Sequence, residues 1–341
     1  QTVSVATPEI RVRNRESESR TVAAASQGGD YFIAVEVASV GPDQVGRPLD
    51  IRLDVAVELS GGIRDDESLD AAMAAVGAEL ADGLSVSVDF LGEDTLDESQ
   101  ADATVTAYLA LLESLSGRRP APAGSLEVSL KLTALGLALP EHGAKIAEEN
   151  ARTIVETADG LDVVVTVDAE DHTTVDQRLA IVRSLRSEFP ETGTVLQACL
   201  RRTEDDCAEF AASGARIRLC KGAYAEPPAV AFTDRRQVDD SYLRCLRILM
   251  KGSGYPMVAS HDPTMIDAAR ILADEFGRAP DSWEHQMLYG IRTDEQRRLA
   301  ARGHVRVYIP YGQQWYGYLV RRLAEKPANL TFFLRALGRQ R

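Results

Sequence analysis

The sequence predicts an α/β fold. It is a (β/α)8 barrel of the TIM type, with the last helix over the barrel mouth and a small β-rich segment at the N-terminus. Three observations predict it: eight short apolar runs recur between residues 84 and 312, helical stretches fill the intervals, and the repeat occupies roughly 250 residues, the usual size of such a barrel. The first 62 residues keep a different rhythm. The chain therefore divides into a β-rich segment of unassigned role, residues 1–62, and a barrel, residues 65–341.

In the N-terminal segment, IRLDVAVEL (51–59) alternates Ile51, Leu53, Val55, Val57 and Leu59 against Arg52, Asp54, Ala56 and Glu58, the period of a half-buried strand. DYFIAVEVASV (30–40) reads as its antiparallel neighbour. From Asp65 the period changes. DESLDAAMAAVGAELADG (66–83) is helical and leads into the barrel strands LSVSVDF (84–90), LEVSLKLTAL (126–135), LDVVVTVDA (161–169) and GTVLQACL (193–200). ARIRLCKGA (215–223), YPMVASH (255–261), WEHQMLYG (283–290) and HVRVYIPYG (304–312) complete the eight. Gln100–Ser116 and Pro263–Glu275 are examples of the intervening helices. A doubly wound open sheet is the alternative, but no Gly-x-Gly-x-x-Gly follows the first strand, which weakens a dinucleotide-binding reading.

Composition narrows the function classes. Hydrophobic residues are 45% and charged residues 26%, enough for a sizeable core, and the net charge of −14 argues against nucleic acid as a partner. From Ile291 onward, however, 11 Arg or Lys stand against 3 Asp or Glu, a locally basic end suited to an anionic ligand, a cofactor phosphate or an acidic membrane surface. Cys199, Cys207, Cys220 and Cys245 lack disulfide-framework or metal-site spacing and read as reduced thiols of a cytoplasmic protein. No apolar run approaches a membrane span, no signal-peptide core is present, and the start at Gln1 reads as a trimmed or partial chain. No metal is expected, because no Cys, His and Asp cluster has ligand spacing.

Chemistry in such a barrel sits at the C-terminal strand ends. There the strands alternate apolar residues with Lys131, Asp168, Gln197, Arg218 and Tyr308, all pointing into the mouth. Burying these groups unpartnered would cost about 1–3 kcal/mol each. A bound polar ligand would supply the partners; the alternative is a plug of side chains that satisfy one another. In RLCKGAYAEP (218–227) a strand runs into Lys221, Gly222, Ala223 and Tyr224, where glycine allows a close backbone approach and lysine offers a charge for phosphate. His261 ends another strand. Near the C-terminus, Tyr318, Arg321, Arg322 and Glu325 share one helix face at i, i+3, i+4 and i+7. That face is either solvated or a clamp for a small carboxylate.

SLKLTALG, TVDAE, VLQACLRR, RIRLCKGAYAEP, ASHD, WEHQMLYG and RVYIPYGQQWYGYLVRRLAEKPAN, in that order, resemble the motif set of the proline dehydrogenase family, flavin-dependent (β/α)8 enzymes. The resemblance covers about residues 65–341; residues 1–62 do not match. It implies FAD-dependent oxidation of L-proline to Δ1-pyrroline-5-carboxylate. Arg321, Arg322 and Lys131 would hold the proline carboxylate, with Glu325 ion-paired in that cluster. Tyr308, Tyr318 and Leu288 would pack around the ring. Asp168 would sit close to flavin and substrate. Gln197 and Arg218 would hydrogen-bond the isoalloxazine, and Lys221, Gly222, Ala223, Tyr224, Ser260 and His261 would line the rest of the flavin site. A quinone would take the electrons, with at most peripheral contact at the inner membrane face. Two other readings compete: a class I aldolase using Lys131 or Lys221 as Schiff-base nucleophile, and a non-enzymatic carboxylate-binding scaffold.

Overall fold

A computed structural model of the chain describes residues 22–25, 31–35, 55–59, 68–92, 95–118 and 121–312. In the N-terminal part, strands β1 (Val22–Ala25), β2 (Tyr31–Val35) and β3 (Val55–Leu59) form an antiparallel sheet in that order, with Tyr31 opposite Leu59 and Val35 opposite Val55. The two expected strands are present in shortened form. β1 is an addition, and its VAAA sequence shows why the pattern missed it: alanine has little preference for a pleated surface.

The barrel begins with α1 (Leu69–Ala81) and β4 (Ser85–Phe90), followed by α2 (Glu98–Ser116), β5 (Leu126–Leu130), α3 (Gly143–Gly160) and β6 (Val164–Val167). A short 3-10 turn, His172–Thr174, precedes α4 (Val175–Glu188) and β7 (Gly193–Gln197). Then come α5 (Thr203–Ala212), β8 (Arg216–Cys220), α6 (Arg235–Lys251), β9 (Tyr255–Ala259), α7 (Pro263–Glu275), β10 (Glu284–Leu288), α8 (Thr293–Ala300) and β11 (His304–Tyr311). All eight strands β4 to β11 pair in parallel with their chain neighbours, and β11 closes onto β4 from Arg306 opposite Ser85 to Tyr311 opposite Phe90. The open-sheet alternative is thereby excluded.

Local sequence sets the element ends. Asp97, Asp234 and Asp262 each cap the following helix by accepting a backbone N–H, and Pro263 stands at the first position of α7. Strand β5 stops at Leu130, five residues before the apolar run ends, because Leu132–Leu137 fold into successive turns and Gly136 takes φ +105. Val86, Val88, Val128, Leu130, Val165 and Val167 face outward and pack in one buried core with Leu111, Leu112, Ile154 and Leu179 of the helices. The opposite strand faces point into the barrel and are strongly polar. The helix expected over the mouth lies outside the described residues.

Candidate active site

Inside the barrel four cations, Lys131, Arg216, Arg218 and Arg306, meet four carboxylates, Asp89, Glu127, Asp168 and Glu284, all buried. At the floor, Arg306 reaches Glu284 at 2.7 Å and donates to the carbonyls of Val86 and Gly124. Glu127 is fully buried, and burial alone would raise its pKa. Arg306, Arg218 and Arg216 outweigh that and bring it down to about 2.

At the mouth, Lys131 Nζ donates to Asp89 Oδ2 at 2.5 Å and stands 3.9 Å from Asp168. The Tyr308 hydroxyl lies 2.6 Å from Asp89 Oδ2 and 2.8 Å from Asp168 Oδ2, so its single proton serves two carboxylates. Arg218 sits beneath the phenol, 5.2 Å from the ring centre. Its guanidinium donates to Asp168 at 2.5 Å, Glu127 at 2.6 Å, Ser129 at 2.9 Å, Ser87 at 3.2 Å and the Gln286 amide oxygen. Burial raises the pKa of Asp89, Lys131 pulls it back, and Asp168 adds to the rise. In this geometry Lys131, Asp168, Arg218 and Tyr308 are partnered with one another and with Asp89, Glu127 and Gln286.

Around the β7–β9 side of the mouth, Gln197 donates through Nε2 to the Glu170 carbonyl at 2.7 Å. Lys221 is clamped by Asp239 at 2.5 Å and Asp262 at 2.7 Å rather than left extended toward solvent. Gly222 has φ +102, and a Cβ there would fall 2.2 Å from Cys199 Sγ. The close approach that this glycine permits is therefore to Cys199. Ser260 accepts from the Asp262 N–H, and Ala223 is half-buried while Tyr224 is exposed. His261 Nε2 accepts the Leu288 N–H at 3.0 Å, which places the imidazole proton on Nδ1. Burial, helped by Arg292, lowers its pKa to about 4, so the ring is neutral at neutral pH. Leu288 is the register partner of Tyr308 on β10 and is half-buried beside it.

The mouth residues Lys131, Asp168, Gln197, Arg218, Leu288 and Tyr308 therefore converge on one end of one barrel, with Lys221–Tyr224, Ser260 and His261 on its rim. Tyr318, Arg321, Arg322 and Glu325 lie outside the described residues. Sequence reasoning missed Asp89, the acceptor that Lys131 and Tyr308 share, as well as Glu127 and Gln286. A signal for each was present, since Ser87/Asp89, Glu127/Ser129 and Glu284/Gln286 occupy the same alternating inward positions. Gln197 Oε1 and His261 Nδ1 have no further hydrogen bond among the described residues. With the Lys221–Ala223 backbone, they fit the polar edge of a large planar cofactor. Among the described residues no group of three His, Cys, Asp or Glu could hold a metal, and no helix is long and apolar enough to cross a membrane.

Comparison with known proteins bears on the family and the fold. Residues 72–335 match the proline dehydrogenase family model. The chain is 37% identical over 259 residues to proline dehydrogenase 2 of Bacillus subtilis (strain 168), covering 76% of this chain and 83% of that one. It is 38% identical over 274 residues to a Deinococcus radiodurans proline dehydrogenase, covering 80% and 87% respectively. Among solved structures, proline utilization A from Bdellovibrio bacteriovorus inactivated by N-propargylglycine superposes with a TM-score of 0.68 at 26% identity, over 75% of this chain but only 31% of that longer one.

Proposed function

We propose, because the chain belongs to the proline dehydrogenase family, that it oxidises L-proline to Δ1-pyrroline-5-carboxylate with FAD as the hydride acceptor. The observation that carries the reading is the Lys131–Asp89–Tyr308–Asp168–Arg218 network at the C-terminal strand ends, where a barrel concentrates its chemistry. Lys131, Arg321 and Arg322 would bind the substrate carboxylate, the arginines through two parallel N–H bonds, and Glu325 would fix their orientation. Tyr308, Tyr318 and Leu288 would enclose the pyrrolidine ring and exclude water. Gln197 and Arg218 would hydrogen-bond the isoalloxazine. Asp168, Lys221, Gly222, Ala223, Tyr224, Ser260, His261 and Glu325 would line the remainder of the cofactor site. FAD, when bound, supplies two-electron redox chemistry. The chain's own task is to place the ring carbon beside nitrogen, desolvate it and keep that nitrogen unprotonated.

The network also weighs against the aldolase alternative. Lys131 Nζ is tethered to Asp89 Oδ2 at 2.5 Å, whereas a Schiff-base lysine must present a free amine to a carbonyl carbon. Residues 65–341 would form the catalytic domain. Residues 1–62 would be dispensable for turnover, so deleting residues 1–60 should preserve flavin content and rate. A quinone fits as acceptor, reached by peripheral membrane contact from a cytoplasmic location. The test is a visible flavin spectrum together with proline-dependent reduction of a dye. A colourless protein, or a yellow one that ignores proline, would overturn the assignment.

A further inference from the structure

The loop between β8 and α6, residues 221–234, runs along the rim of the mouth and carries the Lys221–Tyr224 backbone. Its two ends are fixed to the turn after β7. Cys199 N–H donates to the Lys221 carbonyl at 2.8 Å, Arg201 N–H to the Val230 carbonyl at 2.9 Å, and Phe232 N–H to the Cys199 carbonyl at 2.7 Å. The middle of the loop is tied elsewhere. Glu226, its side chain 4% exposed, reaches across to the turn after β6. There its Oε1 accepts the His172 N–H at 2.9 Å and its Oε2 meets His172 Nδ1. A carboxylate only accepts, so the ring turns a protonated Nδ1 to it. Both flanks of this tie are stiff. Glu170, two residues before His172, accepts Gln197 Nε2 at its carbonyl at 2.7 Å and the Thr133 N–H at its carboxylate at 3.2 Å. On the loop side, Pro227 and Pro228 follow Glu226 and restrict its backbone to extended conformations.

Between these fixed points lies the stretch that needs a defined conformation. Gly222, at φ +102, has the backbone freedom of a residue without Cβ, so the segment from Lys221 to Glu226 does not set its own path. Apolar contact is non-directional, whereas two hydrogen bonds from one carboxylate to one residue fix both distance and angle. We infer that Glu226 and His172 are a positioning pair for the cofactor. Their bonds hold the Gly222–Tyr224 backbone in the conformation that meets the flavin, so that binding does not have to order the loop. This inference rests on the flavin reading above and adds to it two residues outside the flavin-lining set, acting through the loop.

Fluorescence titration of the flavin-stripped full chain with FAD, together with thermal melts and amide exchange, tests this. His172→Leu is the main variant, since that side chain is 31% exposed and its loss opens no core. It should raise the FAD dissociation constant about fivefold or more, the size of a modest coupling between sites. The rise in melting temperature that saturating FAD produces should shrink with it, whereas a merely structural pair would lower the melts with and without FAD alike. His172→Asn, whose amide N–H takes the place of Nδ1, should restore most of the affinity. Glu226→Leu should weaken FAD binding further, and adding His172→Leu to it should change nothing more, because the two act as one unit. In the flavin-free chain, amides across residues 222–226 should exchange faster in His172→Leu than in the parent. An unchanged FAD dissociation constant in His172→Leu, additive losses in the double variant, or unchanged exchange would each overturn the proposal. A parent chain that takes up no FAD would sink the function assignment together with the pair's cofactor role; faster flavin-free exchange in His172→Leu would then still assign the pair to the loop.

Discussion

Asp89→Asn probes the core of the mouth network. Asp89 is wholly buried and accepts from Lys131 at 2.5 Å, from Tyr308 at 2.6 Å and, at 3.4 Å, from Tyr108. The substitution keeps shape and removes charge. It leaves the Lys131 ammonium, itself 5% exposed, with Asp168 at 3.9 Å as the next carboxylate among the described residues. Breaking one side of a buried ion pair costs about 3–5 kcal/mol. The Asn oxygen still accepts a hydrogen bond, so the lower end, about 3 kcal/mol, is expected, a large share of the 5–15 kcal/mol that typically holds a domain folded. Urea denaturation followed by circular dichroism at neutral pH measures it. Lys131→Met completes a double-mutant cycle. With both charges gone, the double variant should be more stable than the sum of the single losses, with a coupling of about 1.5–3 kcal/mol. Proline turnover should fall in Asp89→Asn, because Lys131 and Tyr308 lose their shared anchor. A cost below about 1 kcal/mol with no coupling would mean that native Asp89 already carries a proton, as its raised pKa permits, and would refute the ion-pair account.

Other outcomes follow from particular contacts. Arg321→Met and Arg322→Met should each raise the KM for proline about ten- to a hundredfold while flavin stays bound, since each charge-assisted bond contributes roughly 1.5–3 kcal/mol; normal KM values in both would return that helix face to solvent. Tyr308→Ser should shift the kcat/KM ratio from proline toward 4-hydroxyproline by opening space beside the ring, and an unchanged ratio would separate Tyr308 from the substrate. Gly222→Ala should destabilise by about 2–5 kcal/mol through left-handed strain and the clash with Cys199, relieved in part by Cys199→Gly, as thermal melts would show. Burial lowers the pKa of His261 and of His285 from 6.5 to about 4; Arg292 adds to the drop at His261, while Glu295 opposes it at His285. Between these values the unfolded chain binds more protons than the folded one, so stability should rise with pH across that window. Each ring then contributes up to about 3 kcal/mol at neutral pH that is lost on acidification toward pH 4. His285→Leu should flatten its share in urea melts at different pH.

Periodicity was enough to read alternating parallel strands and helices from the sequence, with the closed barrel favoured over an open sheet. Val86/Val88, Val128/Leu130 and Val165/Val167 repeat every second residue, and helical intervals separate the strands. Only parallel pairing with right-handed crossovers buries such runs. The same alternation put Lys131, Asp168, Gln197, Arg218 and Tyr308 inside, because a pleated strand admits no third face. Closure decided what the alternation could not. The pairing of β11 with β4 brings Tyr308 against Asp89, 219 positions earlier, and β8 carries Arg218 across the barrel to Glu127. Which carboxylate meets which cation depends on register and stagger around a closed sheet, and no local pattern encodes those. Sequence marks Lys221 as a charge and Gly222 as a place of close approach; only the fold sets Lys221 between Asp239 and Asp262 and Gly222 against Cys199. The under-held Arg216 has the same sequence signature as Arg218, two residues away. Only the distances to Glu127, 3.5 Å against 2.6 Å, tell them apart, because hydrogen-bond satisfaction is a property of three-dimensional neighbours rather than of residue type.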